Sequence, residues 1–226
     1  MYRKTIAMIP ARLGSERLKQ KNLAILDGKP LITYAIQAAK ASEVFSKIVV
    51  NSEARVFENI ANEYGVSFYH RPDVLGRSDA KSDAVVYDFL KKHSCDILAW
   101  VNPTSPLQSP EEIRRIIMHF KQCNLDTLIT VENKQVHCVF NGKPVNFSLK
   151  GQFERTQDLK PIQSFVYSMM MWKKAIFVKH YEKYGFALLC GKIGYFPVCK
   201  ESSIIIKTKE DLQMAEAYLL FKKNKL

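Results

Sequence analysis

Short apolar runs alternate with stretches of helical period along the first 131 residues, and this alternation leaves the chain few folds. Residues 5–9 read as a strand. A polar loop follows, then a helix opening at Gly28-Lys29-Pro30, where a proline at the first helical position gives up only an N–H that lacks a partner anyway. Ile32, Ile36 and Ala39 recur behind it at helical spacing. Strands over 47–50, 66–69 and 96–101 alternate with helices over 54–64 and 82–92. The turn Asn102-Pro103-Thr104-Ser105-Pro106 leads to a helix over 110–121 and a strand over 126–131. Repeated β-α-β units of this kind predict an α/β fold, a Rossmann-like and mostly parallel sheet sandwiched by helices. Ligands then bind at the carboxyl ends of its strands.

Regularity fades after Val131. Residues 136–140 and 145–148 flank Asn141-Gly142, a hairpin signal. A strand over 164–172, a helix over 174–184, short strands over 193–198 and 203–207 and a closing helix over 210–221 complete the reading. Phe165, Tyr167 and Trp172 on the strand are assigned to the core rather than to a ligand platform. No repeat or linker divides the chain, so residues 1–226 read as one domain, with 133–165 as an arm.

Composition narrows the function classes. At 226 residues, 47% hydrophobic and 25% charged, the chain has ordinary globular make-up, and no apolar run is long enough to span a bilayer. The opening residues lack the long apolar stretch and cleavage site of a secretory signal, so the expected location is the cytoplasm. Cysteines at 95, 123, 138, 190 and 199 form no CxxC, which argues against a zinc site and gives no disulfide framework. The scattered histidines offer no nucleophilic triad. The net charge of +12 suits anionic ligands, with part of it on Lys222, Lys223 and Lys225. A nucleic-acid partner is not supported, because there is no recognisable module and no dense basic–aromatic stripe.

The most specific segment is IPARLGSERLKQKN, residues 9–22, directly after the first strand. Gly14 permits a close backbone approach to a phosphate, and Ser15 with neighbouring N–H groups can donate to its oxygens. Arg12, Arg17, Lys19 and Lys21 supply positive charge for a triphosphate. The segment is neither a GxGxxG fingerprint nor a GxxxxGK[ST] loop, which removes the main support for a dehydrogenase or an ATPase.

This segment, followed by LDGKPLITYAIQAA, resembles the opening of the acylneuraminate (CMP-sialic acid synthetase) cytidylyltransferase family. The Gly14-Ser15 and Arg17-Leu18 pairs also echo the related Kdo cytidylyltransferases. The likeness continues through VVNSEARVFENIANEYGVSFYHRPDVL, VNPTSPLQSPEEI and RTQDLKPIQSFVYS to KTKEDLQMAEAYLL, nearly the whole chain. It implies an enzyme that joins CMP from CTP to an acidic 2-keto sugar and releases pyrophosphate, with magnesium as cofactor. By the same resemblance Arg12, Ser15 and Lys21 hold the triphosphate, with Arg12 and Lys21 neutralising charge in catalysis. Asn22, Arg71 and Ser82 match cytidine-contacting positions, although Arg71 before Pro72 also reads as a plain surface residue. Asn102 stands where the sialic acid enzymes usually have glutamine; it either bonds the sugar or merely starts its turn. Arg155 and Gln157 fall on a stretch near the sugar site. A homodimer formed through the arm is also implied.

The departures from the family pattern are as informative. Relatives carry an Asp-x-Asp pair for magnesium before the last helix, and here Ile205 and Lys207 occupy those positions. Isoleucine offers no oxygen to a hard cation, and a lysine repels one unless it replaces its charge. Glu16 takes the place of a basic residue, Arg17 that of a glycine, and Asn51-Ser52-Glu53-Ala54 that of the common Ser-Thr-Asp-Asp. Magnesium is therefore expected to arrive with CTP, with no protein ligands assigned. Two other readings stand beside the leading one: a homologue that binds nucleotide or sugar without catalysis, and activation of a Kdo-like octulosonic acid.

Overall fold

In the computed structural model residues 4–224 are described, so Lys225 of the basic C-terminus lies outside them. The first strand, β1 (Thr5–Pro10), is buried along its whole length, as expected of a strand covered on both faces. A short hairpin, β2 (Ile25–Leu26) and β3 (Lys29–Pro30), precedes helix α1 (Leu31–Ser42). Then come β4 (Lys47–Ser52), α2 (Val56–Glu63), β5 (Ser67–His70), α3 (Ser82–Lys92), β6 (Ile97–Val101), α4 (Pro110–Gln122) and β7 (Thr127–Lys134). The arm holds β8 (Val139–Phe140) and β9 (Lys143–Pro144), and β10 (Ile162–Lys173), α5 (Lys174–Tyr184), β11 (Ile193–Pro197) and α6 (Lys209–Lys223) complete the chain.

The main sheet has seven strands in the order β11-β7-β10-β6-β1-β4-β5. β10 pairs antiparallel with both neighbours, while the other pairings are parallel. Side chains alternate between two helical layers. Met8, Leu98, Ile129 and Met170 meet α3 and α5 on one face. Ala7, Ile9, Ala99 and Leu128 meet α1, α2 and α4 on the other. This is the mostly parallel, helix-sandwiched sheet that the alternating pattern predicts. The chain leaves β1 for β4 and β5 on one side, then returns with β6 to the other edge of β1. That reversal is a topological switch point, which opens a crevice between the ends of β1 and β6.

Local differences have identifiable causes. The first helix begins at Leu31, not at 28–30, and Pro30 is its N-cap residue with φ −57° and ψ 137°. Asp27 and Gly28 take φ of 47° and 76°, which closes the β2–β3 hairpin that hydrophobic period alone does not reveal. Asn141 and Gly142 form the expected turn, with φ of 48° and 74°, but the strand after it is Lys143–Pro144 rather than 145–148. Residues 203–207 form no strand. Ser203 N donates to Cys199 O and Ile206 N to Thr104 O, so the segment's backbone is used in a turn and a loop contact. Phe165 and Tyr167 are not core: they are 39% and 44% exposed, whereas Trp172 is fully buried. The pairing of β10 with β7 shifts register between Phe165 and Met170, and Tyr167 sits at φ 59°, unusual for a bulky residue.

Candidate active site

A cavity of 440 Å³ lies at the switch point. Its walls come from the loop after β1, the segment between β5 and α3, the turn after β6, and Lys207 ahead of α6. Arg12, Ser15, Lys21, Asn22, Arg71, Ser82 and Asn102 all line it, so residues scattered over 90 positions of sequence meet at one cavity.

The loop after β1 is held by its backbone and by four side chains, those of Asn22, Arg12, Arg71 and Glu53. Asn22 Nδ2 donates to Arg12 O at 3.2 Å, and Arg12 Nη1 donates to Arg77 O at 3.1 Å. Arg71 is 3% exposed, so the surface reading of this residue is wrong. Its Nη2 donates to Ala11 O at 2.8 Å and to Glu53 Oε2 at 2.7 Å, and its Nη1 donates to Asn51 O at 3.3 Å. Burial works against the Arg71 charge and lowers its pKa, and the carboxylate of Glu53 opposes that effect. Glu53 Oε1 also accepts from Leu13 N at 3.1 Å, so one carboxylate ties the loop to the buried guanidinium. Gly76 packs so closely on it that a Cβ there would overlap the Glu53 carboxyl group.

Glu53 is the residue that sequence reasoning passed over, noting it only as a change from aspartate. The available signal was its position: an acid just beyond the carboxyl end of β4, in a chain whose next loop carries a basic residue before a proline.

The electrostatics of the cavity are cationic. Arg12, Arg17, Lys21 and Lys207 line it, against Glu16 as the one lining carboxylate. Burial lowers the pKa of Lys21 most, and the nearby charges of Arg17, Arg12 and Lys207 lower it further. Two lining residues also keep buried polar atoms without a hydrogen bond, the acceptor Asn22 Oδ1 and the donor Arg71 Nε. Buried polar groups are nearly always paired in native proteins, so these two atoms stand out among the lining residues.

Other expected site residues fare differently. Gly14 and Lys19 do not line the cavity. A Cβ on Gly14 would meet nothing within 4 Å, so the unliganded loop has no steric need for glycine there. Asn102 does start its turn: its Oδ1 accepts from Thr104 N at 3.0 Å and Thr104 Oγ1 at 2.9 Å. Its Nδ2 donates to Tyr167 O at 3.0 Å, which leaves one amide hydrogen for a ligand. Arg155 and Gln157 are not brought to the cavity. Arg155 Nε pairs with Asp158 at 2.7 Å, and Gln157 O accepts from Gln135 Nε2 at 2.7 Å, both within the arm. Ile205 packs against the cluster built on α4, whereas Lys207 reaches the cavity.

Known proteins resemble this chain in sequence and in fold. An N-acylneuraminate cytidylyltransferase from Escherichia coli is 39% identical over 119 residues, covering 50% of this chain and 27% of that protein. An enzyme of the same name from Streptococcus agalactiae is 27% identical over 229 residues, covering 96% of this chain and 54% of that one. The chain thus spans about half or less of the length of these curated relatives. Among solved structures, a CMP:2-keto-3-deoxy-manno-octonic acid synthetase complexed with CTP superposes with a TM-score of 0.71 at 15% identity, covering 97% of this chain and 99% of that one, a likeness of fold. A family model described as cytidylyltransferase matches residues 6–219, which takes in every wall of the cavity; the chain belongs to the cytidylyltransferase family.

Proposed function

We propose that the chain joins the CMP portion of CTP to an acidic 2-keto sugar, a sialic acid-like nonulosonic acid, and releases pyrophosphate. The observation that carries the reading is the polarity of the cavity: Arg12, Arg17, Lys21 and Lys207 around it, with the unpaired Asn22 Oδ1 and Arg71 Nε among its lining residues. A nucleoside triphosphate fits that pattern, with phosphates for the cations and a base edge for the unpaired donor and acceptor.

The anomeric oxygen of the sugar attacks the α-phosphorus, and the bond from that phosphorus to the bridging oxygen breaks. Catalysis of such a displacement is mainly alignment and neutralisation of charge. Arg12 and Lys21 neutralise the triphosphate, Ser15 and the loop N–H groups orient it, and Asn22, Arg71 and Ser82 hold the cytidine. Asn102, with its remaining amide hydrogen, faces the sugar. Magnesium, implied by the family resemblance, would neutralise phosphate charge when bound. The residues present do not fit a protein-held ion. Among the described residues Glu16 is the one carboxylate lining the cavity, and Asp211 Oδ2 already accepts from two backbone N–H groups.

A homodimer formed through the arm belongs to the same proposal. Within the arm, Val139, Phe140, Leu149 and Phe153 are exposed by 62%, 72%, 77% and 72%, an apolar surface suited to a second copy. Such a partner would let Arg155 and Gln157 serve the cavity of the other copy. Among the described residues no helix is long and apolar enough to cross a membrane, and a CTP-dependent reaction in the cytoplasm is the proposed setting.

The test is pyrophosphate release by the purified chain from CTP with a panel of nonulosonic and octulosonic acids, with ATP and GTP as controls. Turnover requiring CTP and a nonulosonic acid is expected. Turnover with octulosonic acids alone would move the substrate to the Kdo class. CTP binding without turnover on any acid would favour the non-catalytic reading, for which the lysine at position 207 is the observation in hand.

A further inference from the structure

We propose that Lys207 is a direct ligand of the CTP phosphates, a cation built into the chain that takes over the charge neutralisation a carboxylate-held divalent ion would supply. The inference rests on the reading of the cavity as a CTP site and adds a residue to it.

The backbone of Lys207 is fixed from both sides. One residue earlier, Ile206 is fully buried with Leu26, Leu31 and Ala215, and its N–H donates to Thr104 O at 2.8 Å. Lys207 N itself donates to Asp211 Oδ2 at 2.8 Å, and Thr208 N donates to the same oxygen at 2.9 Å. Thr208 and Asp211 form the capping box of α6, so the position is anchored to a helix start rather than to a free loop. From there Lys207 lines the same cavity as Arg12 and Lys21.

Positive charge predominates at that point: Arg12, Arg17, Lys21 and Lys207 line the cavity together with Glu16. Lys207 adds to Arg17 and Arg12 in disfavouring the charge on Lys21, against the opposing carboxylate of Asp211. Cations held this close repel one another until an anion enters. The ligand that relieves them carries several negative charges on adjacent oxygens, which describes a triphosphate and not a sugar acid with a single carboxylate.

The same geometry disfavours a divalent ion held by the protein. Magnesium asks for carboxylate oxygens, commonly one or two alongside the substrate's phosphates. Here Ile205 is partly buried against the cluster built on α4, and Asp211 Oδ2 is spent on the helix cap. Among the described residues no three His, Cys, Asp or Glu side chains stand where they could hold a metal ion. An ion at the carboxylate position of relatives would meet an ammonium group.

The experiment is calorimetric titration of the full chain with CTP in excess EDTA and in excess magnesium chloride, with cytidine as a phosphate-free probe. Wild type, Lys207→Met and Lys207→Asp are compared. Both substitutions spare the backbone N–H that the cap uses, and circular dichroism checks the fold. The wild type should bind metal-free CTP within a few fold of its affinity in magnesium. Lys207→Met should weaken metal-free CTP by about tenfold or more, the loss of one hydrogen bond to a charged group, while cytidine binding is unchanged. Lys207→Asp should weaken it further in EDTA and recover with magnesium. Equal CTP affinity for wild type and Lys207→Met overturns the assignment, as does a tight magnesium site in the nucleotide-free wild type. A wild type that binds neither CTP nor cytidine would instead overturn the reading of the cavity, and the inference with it.

Discussion

Replacing Glu53 tests whether one carboxylate holds the candidate site together. The guanidinium of Arg71 is 3% exposed; its Nη2 is shared between Glu53 Oε2 at 2.7 Å and Ala11 O at 2.8 Å. In Glu53→Ala the cation keeps only the carbonyls of Ala11 and Asn51, and its Nε is already unpaired. Removing one partner of a buried ion pair costs about 3–5 kcal/mol, because a charge is left without compensation. The Glu53 side chain is 16% exposed, so water can enter beside Gly76, which places the cost near the lower end. The lost acceptor for Leu13 N adds about 1 kcal/mol, partly recovered by solvent. We therefore expect Glu53→Ala to destabilise the chain by about 3–4 kcal/mol. Glu53→Gln, which keeps the shape and an acceptor but loses the charge, should cost about half as much. Urea unfolding followed by circular dichroism measures both, as a lower midpoint at unchanged slope. A loss below about 1 kcal/mol for Glu53→Ala, or equal losses for the two variants, would refute the reasoning that ion pairing at Arg71 holds the loop.

Arg12→Ala should weaken CTP binding by about 1.5–3 kcal/mol in a folded protein, and unchanged affinity by calorimetry rejects its place at the phosphates. Lys21 titrates below its usual 10.5 in the free protein, because burial and then Arg17, Arg12 and Lys207 disfavour its charge. A bound phosphate restores the proton, so in the window below 10.5 CTP binding should take up a proton and weaken as pH rises. Calorimetry in buffers of different ionisation enthalpy reads that uptake, and Lys21→Met should abolish it. In the same window the unfolded chain binds more protons than the folded one, so Lys21 makes the free protein more stable as pH rises, an increment that Lys21→Met should remove from urea midpoints. Trp172→Ala removes a fully buried indole whose Nε1 donates to Leu188 O at 3.0 Å; a loss of about 3–5 kcal/mol in thermal or urea unfolding is expected.

The sequence by itself determined the main-sheet strands, the helices between them and their order through residue 131, but not the β2–β3 hairpin. Apolar runs at period 2 and 3.6 leave little freedom when each helix must return over the sheet, and α3 begins and ends at the predicted residues 82 and 92. The loop after β1 was legible for the same reason: a basic, glycine-containing segment directly after a buried strand falls at a carboxyl end. What period could not show is where backbone donors and acceptors are spent. Residues 203–207 have the apolar run of a strand, but Ile206 donates to Thr104 instead of to a strand edge. Phe165 and Tyr167 look like core, but both are exposed where the pairing of β10 with β7 shifts register.

The cavity itself was decided by tertiary structure. Arg71 reads as a surface residue in one dimension and becomes a buried clamp only when the ends of β1, β4 and β5 lie side by side. Glu53 matters because folding carries it to that guanidinium and to Leu13 N at once. Lys207 lies 186 residues from Lys21 in sequence, and only the contact of the 206–207 segment with the turn after β6 brings their charges together. A sequence pattern records which side chains are polar; which of them share a cavity depends on the packing of the sheet and its loops, and a single chain's pattern carries no distances.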